Sequence, residues 1–509
     1  MSSTVKSSKK VLLVLLCLLI GGMVWFAVYW SNPGAPSGTF LAKPYLQLGP
    51  NAGLSLLWQT TPNLDQWTIE IKNERQWKSG PPVTKRQLQI DSINPFELFL
   101  VDVTEFGVKP FEYRILRNNH VEFSARANER LNSSSRYKFA VLGDCGADTL
   151  AQKKIAYQIY MAHPNFVLVT GDIVYPDGRA SEYLDHFFPV YNNDQASSDA
   201  GAPLMRSTLM AAVPGNHDVG KAGLFDVRNM AVFPDSLAYF YEWSQPLNGP
   251  GKYGQPNTPL LLQNPARQER FRVAAGKNYP AMSTFYFDNG NARYILLDAD
   301  HYMDWTNQVW RKWLDDALSA AKDKKWRFVL YHQTAFNSDT SHYSEQRMRV
   351  ITDILEKHDV RIVFCGHVHN YQRTYPLHFV PGVMDAKGMV AGQIELAGQD
   401  IPTHAGQIVY ITTGAGGASL TGTQIASTPE KWQSFTQKFI ANTHSFSLCE
   451  VDGDTLAVKQ ISEDGAVLDQ FAVSAASYLI PGSSPNSKPT PNSIPTSKPV
   501  QRPAQKSKV

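Results

Sequence analysis

Five short apolar runs along the chain each end in a loop that carries polar side chains. They are FAVLGDCG (139–146), FVLVTGDIVY (166–175), AAVPGNHD (211–218), FVLYHQ (328–333) and IVFCGHVH (362–369). Apolar runs of this length, bounded by turn residues, predict buried strands. Because strands of one sheet can end at a common edge, we expect the polar loops that follow them to lie close together there.

Other stretches have apolar residues at every third or fourth position, which predicts helices. They span 149–162, 307–323 and 344–358. Strands that alternate with helices predict an α/β sandwich, in which β-sheets are flanked by helices, over residues 136–473. Its last part, 446–473, predicts β-hairpins that close a sheet edge. The segments 176–210 and 219–280 have no clear period, and we expect such long insertions to shape access to a site.

The pattern of residues 40–130 is different, with short apolar runs such as LSLLWQT and FEYRILRN separated by turns. Closely spaced strands without a helical stretch predict an all-β domain of fibronectin-III or Ig-like size. An independent binding module is the alternative for this segment. Packing against the following domain is the favoured role, since no exposed motif supports binding.

Residues 11–30 are uncharged and long enough to cross a bilayer. Three lysines precede this segment, and no basic residue follows it until Lys43. This asymmetry predicts a transmembrane signal anchor, with residues 1–10 cytoplasmic and the body of the chain extracytoplasmic, whether periplasmic, lumenal or extracellular. A cleaved signal peptide, which would leave a secreted protein, is the alternative.

Composition limits the remaining possibilities. Residues 31–39 predict a stalk, and residues 474–509, rich in Ser, Pro and Lys, predict a disordered tail. The formal net charge of +3, from 48 basic and 45 acidic residues, gives no general signature of nucleic-acid binding. Four cysteines, including Cys17 within the apolar segment, provide no disulfide framework. Two others, Cys145 and Cys365, flank the polar loops, where we expect small buried residues.

The polar loops together supply oxygen and imidazole donors that suit metal ions. The candidate ligands are Asp144, Asp172, Tyr175, Asn216, His332, His367 and His369. A set without thiolates argues against a structural zinc site and favours iron, manganese or zinc in an open catalytic site. Seven side chains are too many for one such ion and suit two ions if one carboxylate bridges them. Two ions can clamp the attacking and leaving oxygens of a phosphoryl displacement.

The series GD, GDxxY, GNH, H and GHxH resembles the motifs of the calcineurin-like metallophosphoesterase superfamily. Tyr175, three residues after Asp172, resembles the tyrosine of purple acid phosphatases, and the β-rich segment resembles their longer, plant-like members. The resemblance implies hydrolysis of phosphate monoesters, with a metal-bound hydroxide as the nucleophile. It also implies two metal ions, Fe(III) and a divalent iron, zinc or manganese ion.

The same resemblance assigns a role to each candidate. Asp144, Tyr175 and His369 would bind the first metal. Asn216, His332 and His367 would bind the second metal. Asp172 would bridge the two ions.

Two further histidines are assigned to the substrate by the resemblance. His217 would contact the phosphate or the leaving oxygen, and His342 would act on the leaving group. Plant-like enzymes carry a histidine pair here, whereas in this chain Ser341 takes the place of the first histidine and His342 that of the second. Asn370 and Gln372 also depart from the plant-like pattern.

We therefore expect a membrane-anchored acid phosphatase that acts on phosphorylated small molecules. A phosphodiesterase or nucleotide hydrolase that uses the same metal site is the alternative enzyme. A non-catalytic surface protein is the alternative from another class, although such proteins generally lose ligands and every expected ligand is present here. The sequence predicts no nucleic-acid partner and leaves the oligomeric state open.

Overall fold

Two mixed β-sheets pack against each other at the centre of the computed structural model. The structure describes residues 39–89, 94–129, 136–219, 234–251, 278–397 and 406–475. The predicted anchor over 11–30 and nearly all of the predicted tail lie outside these residues. Within the described ranges, no helix combines the length and the apolar character that crossing a bilayer requires.

The strands, in chain order, are β1 (Ala42–Leu48), β2 (Leu54–Thr60), β3 (Trp67–Asn73), β4 (Gln76–Ser79), β5 (Thr84–Leu88), β6 (Phe96–Asp102), β7 (Phe111–Arg117), β8 (His120–Ala127), β9 (Arg136–Leu142), β10 (Phe166–Val169), β11 (Asn192–Ser197), β12 (Gly201–Pro203), β13 (Leu209–Ala212), β14 (Phe285–Asn289), β15 (Ala292–Leu297), β16 (Trp326–Tyr331), β17 (Ile362–Cys365), β18 (Tyr371–Thr374), β19 (Leu377–Met384), β20 (Val390–Leu396), β21 (Val409–Thr413), β22 (Thr436–Ile440), β23 (Ser445–Asp452), β24 (Thr455–Ser462) and β25 (Val467–Ser474). The helices are α1 (Leu150–Ala162), α2 (Ala180–Glu182), α3 (Phe188–Tyr191), α4 (Tyr239–Glu242), α5 (Gln308–Ser319), α6 (Thr352–Lys357) and α7 (Thr423–Ala426). Short 3₁₀ turns span Thr104–Phe106, Arg347–Ile351 and Pro429–Lys431, and a π-helical turn spans Tyr183–Phe187.

The parallel strands of both large sheets carry the polar loops. One sheet has ten strands in the order β25-β24-β23-β9-β10-β13-β1-β2-β6-β5, and β9, β10 and β13 run parallel in it. The other has seven strands in the order β14-β15-β16-β17-β21-β18-β22, with β15, β16, β17 and β21 parallel. The loops after β9, β10 and β13 therefore meet those after β16 and β17 at one edge of the sandwich.

Aromatic side chains fill the space between the two sheets. The ring of Phe139 on β9 lies 5.3 Å from that of Phe328 on β16, in an edge-on arrangement. Two other hydrophobic clusters cover the outer faces, one including Ile155 and Ile159 of α1 and the other including Leu314 of α5. Burial of both faces by apolar side chains stabilises the sandwich and holds the strand ends in place.

The β-rich N-terminal region is joined to the α/β part by a shared sheet. β1 pairs in parallel with β13 through Gln47 and Met210, so that β1, β2, β6 and β5 extend the ten-stranded sheet. β4, β3, β7 and β8 form a separate four-stranded sheet. The predicted fold class, an α/β sandwich preceded by a β-rich region, is confirmed. The division into domains stays a prediction.

The third predicted helix, over 344–358, is shorter than its pattern indicates. A 3₁₀ turn at Arg347–Ile351 leads into α6, which begins at Thr352. The reason is burial on all sides, because Met348, Arg349, Val350 and Ile351 are all buried. An amphipathic α-helix needs a solvent-facing side that this segment does not have.

Candidate active site

The seven predicted donors lie on the loops that follow parallel strands. His367 and His369 share the loop between β17 and β18. Three of these loop residues have a left-handed backbone, with φ of 58° at Asp144, 48° at Asp172 and 70° at His367. Side chains other than glycine adopt this conformation at a cost of about 1–3 kcal/mol, and such residues cluster at functional sites.

The first group of donors surrounds the hydroxyl of Tyr175. This oxygen lies 3.0 Å from Nε2 of His369, 3.1 Å from Oδ2 of Asp172 and 3.3 Å from Oδ1 of Asp144. Nε2 of His369 is 3.4 Å from Oδ1 of Asp144. Four donor atoms from three loops thus converge on one point.

The second group surrounds the side-chain oxygen of Asn216. It lies 2.9 Å from Nδ1 of His367 and 3.0 Å from Nε2 of His332. Nε2 of His332 is also 3.3 Å from Oδ1 of Asp172. Asp172 therefore directs one oxygen to each group, which is the arrangement that a bridging carboxylate requires.

Backbone amides hold the carboxylates of Asp144 and Asp172 in place. The amide of His367 donates to Oδ2 of Asp144 at 2.9 Å, and the amide of His217 donates to Oδ1 of Asp172 at 2.8 Å. At Gly215, a Cβ would collide with Oδ1 of Asp172, so only glycine permits this approach.

Each imidazole has a defined orientation. Nδ1 of His332 lies 2.8 Å from the carbonyl of Thr170, and Nδ1 of His369 lies 2.7 Å from that of Ser419. A carbonyl only accepts, so Nδ1 of each ring carries a hydrogen directed to its carbonyl, and Nε2 is the nitrogen that faces the carboxylates and that a metal ion would bind. In His367 the two ring nitrogens exchange these positions. Its Nε2 lies 2.6 Å from Oε2 of Glu345, and its Nδ1 faces Asn216 inside the site.

The electrostatics of the cluster favour added positive charge. Burial alone raises the pKa of Asp172, but the facing charges of His332 and His217 hold it well below its usual range. Burial alone lowers the pKa of His332, yet the carboxylate of Asp172 raises it to about 10. Burial and both carboxylates raise the pKa of Tyr175 well above 10.0. A bound cation would replace the protons and favour the phenolate, so the donor set fits metal ions.

His217 and His342 lie beside the two donor groups. Nδ1 of His217 is 2.7 Å from the carbonyl of Pro176, and its Nε2 is 4.0 Å from Oδ2 of Asp172. The ring of His342 lies edge-on to that of His367, with centroids 4.7 Å apart. Both histidines are partly exposed, which leaves them accessible to a substrate.

Two acidic residues that the sequence analysis does not single out support the site. Glu345 fixes His367, as described above, and follows His342 by three residues. The buried carboxylate of Asp218 accepts from the amides of Ile173 at 3.0 Å and Gly215 at 2.8 Å, which ties two loops together. The only local signal for Asp218 is its position directly after the GNH motif.

Cys145 and Cys365 are fully buried, and burial raises the pKa of Cys365 to about 12. Each thiol therefore stays protonated at ordinary pH, in agreement with the expected packing role.

Comparison with known proteins identifies related domains. Residues 137–371 match the family model described as Calcineurin-like phosphoesterase. The chain is 35% identical over 111 residues to Purple acid phosphatase 23 of Arabidopsis thaliana, covering 21% of this chain and 24% of that protein. It is 26% identical over 218 residues to the Nucleotide pyrophosphatase/phosphodiesterase of Hordeum vulgare, covering 38% and 52%. It is 25% identical over 322 residues to Probable inactive purple acid phosphatase 1 of Arabidopsis thaliana, covering 60% and 42%.

The chain thus spans about half or less of the length of these curated relatives. Among solved structures, purple acid phosphatase PPD1 of yellow lupin (Lupinus luteus) aligns with a TM-score of 0.59 at 15% identity. The alignment covers 88% of this chain and 77% of the lupin chain, which supports a shared fold. Residues 137–371 thus match a calcineurin-like phosphoesterase domain, which indicates a hydrolase, and part of the chain is similar to purple acid phosphatases.

Proposed function

We propose that the protein is a metal-dependent acid phosphatase that hydrolyses phosphate monoesters of small molecules. The observation that carries the proposal is the pair of donor groups that share Asp172. Two adjoining positions with one bridging carboxylate suit the chemistry of phosphoryl transfer to water. The similarity to purple acid phosphatases supports the same reaction class.

The donor types suggest which ion each group would bind. Asp144, Tyr175 and His369 would hold Fe(III), because phenolate is a hard, anionic donor that favours the trivalent ion. Asn216, His332 and His367, which are neutral donors, would hold a divalent iron, zinc or manganese ion. Such ions, when bound, supply Lewis acidity and a hydroxide nucleophile at acidic pH.

The remaining residues would act on the substrate. His217 presents Nε2 towards the site because the Pro176 carbonyl engages its Nδ1, and this nitrogen can donate to a phosphoryl oxygen. His342, whose ring contacts that of His367, would give a proton to the leaving oxygen. General acid–base groups of this kind contribute roughly 10²–10⁴-fold to turnover.

Metal analysis combined with turnover tests this function. The purified protein should contain two metal ions per chain, at least one of them iron, and should hydrolyse 4-nitrophenyl phosphate at acidic pH. Removal of the ions should abolish turnover and readdition should restore it, while Asp172→Asn should not recover. A fully loaded protein without turnover would contradict the proposal and favour a non-catalytic role, as the name of the inactive relative suggests for that protein.

A phosphodiesterase is the second candidate. The barley relative is named for that activity, and a cavity of about 310 Å³ lies at the same edge of the sandwich, lined by His301, Trp305 and Arg347 among others. Such a cavity offers space and a cation for a larger, charged leaving group. Faster turnover of bis(4-nitrophenyl) phosphate than of the monoester would favour this candidate.

We also propose that residues 11–30 anchor the protein, with the catalytic part outside the cytoplasm. The support is the uncharged segment and the lysines before it. Protease added to right-side-out vesicles should digest the exposed chain. Digestion only after lysis would overturn this orientation.

A further inference from the structure

We propose that Ser341 and Asp339 are positioning residues that hold His342 in the tautomer with its hydrogen on Nδ1, so that Nε2 faces the reaction. This inference rests on the proposed phosphatase function and concerns how the proton reaches the leaving group. Ser341 is the residue that departs from the histidine pair of plant-like enzymes.

The argument begins with the carboxylate of Asp339, which is buried beneath the loop. Its Oδ1 accepts from the hydroxyl of Ser341 at 2.5 Å and from the amide of the same residue at 2.9 Å. Its Oδ2 lies 3.4 Å from the side-chain nitrogen of Asn370. A carboxylate met by three donors is an acceptor only, so the single hydroxyl hydrogen of Ser341 is directed to it.

The second step concerns the imidazole. Oγ of Ser341 also lies 2.8 Å from Nδ1 of His342. Because the hydroxyl hydrogen of Ser341 already points to Asp339, its oxygen has only lone pairs to offer to the ring. The hydrogen of this contact must therefore come from Nδ1 of His342, which leaves Nε2 as the nitrogen that exchanges a proton with the substrate.

The other two departures from the plant-like pattern belong to the same network. Asn370 contacts Asp339, as described above, and donates to the carbonyl of Thr421 at 3.2 Å. Gln372 donates to Oδ1 of Asn370 at 3.0 Å and accepts from the amide of Ser338 at 2.7 Å. Three separate sequence departures thus build one hydrogen-bonded support beneath His342.

In the reaction, the bond between phosphorus and the leaving oxygen breaks as the bond to the incoming hydroxide oxygen forms. His342 enters this step as the imidazolium, with a hydrogen on each ring nitrogen. Its Nε2 proton passes to the leaving oxygen, and water later returns a proton to Nε2. The hydrogen on Nδ1 stays with Ser341 throughout. The network fixes the direction of transfer and supplies no proton itself.

A leaving-group series tests this role. In Ser341→Ala, kcat should fall about 10-fold for an alkyl phosphate, whose leaving oxygen needs the proton. It should change less than about 2-fold for 4-nitrophenyl phosphate, whose leaving group departs as the anion. Asp339→Asn should act like Ser341→Ala, and Ser341→Thr, which keeps the hydroxyl, should restore turnover. Equal losses on both esters with normal metal content, or no rescue by threonine, would overturn the proposal.

A measurement independent of turnover separates this inference from the proposed function. The full chain labelled with ¹⁵N-histidine, measured at a pH where the ring of His342 is neutral, should show its single hydrogen on Nδ1, with the signal assigned by its loss in His342→Ala. In Ser341→Ala that preference should weaken. A neutral His342 with its hydrogen on Nε2 in the unmutated chain would refute the positioning role, whereas an inactive chain whose neutral His342 carries the hydrogen on Nδ1 would refute only the phosphatase.

Discussion

The hydroxyl of Tyr175 meets two carboxylates and one imidazole within 3.3 Å. In that setting the phenol keeps its hydrogen, because burial and the two negative charges oppose ionisation. A trivalent cation at the same point reverses the balance, since its charge outweighs both carboxylates. In the proposed site, the protonation state of Tyr175 would therefore depend on the charge of the bound ion.

Replacement of Tyr175 by phenylalanine should remove a visible absorption band while part of the turnover survives. The band of an Fe(III)–phenolate pair comes from charge donated by the phenolate, whereas phosphate hydrolysis depends on the ion. Absorbance spectra and iron content measured on the same samples test this. A wild-type protein that is loaded with iron and colourless would contradict the assignment of Tyr175.

Two variants distinguish metal-binding from substrate-facing side chains. Asp172→Asn should lose both ions and all turnover, because one oxygen of Asp172 serves each donor group. His217→Asn should keep both ions while kcat falls roughly 10²–10⁴-fold, because in the proposed role its Nε2 contacts the substrate and not a metal ion. Metal content by elemental analysis decides between them, and loss of an ion from His217→Asn would show that this division is wrong.

At the level of elements, the strand ends of the site are readable from the sequence because the signal is local. The strands that end before Asp144, Asp172 and His332 can be recognised from the adjacent apolar residues alone. The pairing of Gln47 on β1 with Met210 on β13 has no such signal, since a parallel pairing joins residues that are far apart in the chain. The contact between Glu345 and His367 is hidden for the same reason.

The short helix α4 is hydrogen-bonded to two of the N-terminal strands, β1 and β2. Its residue Glu242 is fully buried and accepts from the side chain of Gln59 on β2. The hydroxyl of Tyr45 on β1 donates to the carbonyl of Glu242 at 3.1 Å. Burial raises the pKa of this carboxyl to about 8, so the folded protein holds it in the neutral form.

The stability of the fold should therefore depend on pH through Glu242. Its pKa is higher in the folded chain than the ordinary 4.5, so its contribution is complete below pH 4.5 and is lost as pH rises through about 8. In the wild-type protein this effect should lower the free energy of unfolding by a few kcal/mol at alkaline pH. Glu242→Gln, which cannot ionise, should not show this decrease. Melting temperatures from pH 5 to 9 test it, with exposed Glu430→Gln as the control. Parallel curves for Glu242→Gln and wild type would contradict the prediction.

At the scale of the whole molecule, the ten-stranded sheet makes the N-terminal region part of the catalytic fold. β1 covers the edge of β13, and the core between the sheets includes Trp58 and Phe99 together with Phe139 and Phe328. Removal of the N-terminal strands would expose a strand edge and this apolar surface together.

Deletion of residues 40–130 should accordingly leave a chain that aggregates or shows no cooperative melting. The physical reason is the lost burial of the shared core. Deletion of residues 476–509, which composition predicts to be disordered, should leave the melting temperature unchanged and serves as the control. A soluble, cooperatively melting chain after the first deletion would show that the α/β part folds alone.

The positions of the donor residues along the chain also determine when, during synthesis and folding, the two donor groups can form. Each needs a residue beyond position 366 as well as Asp172, so neither exists on a nascent chain until that stretch has been made and folded. If the two groups bind metal ions as proposed, metal acquisition would therefore be a late step, completed where the chain finishes folding. The ions available there would then decide which metal form of the protein is produced.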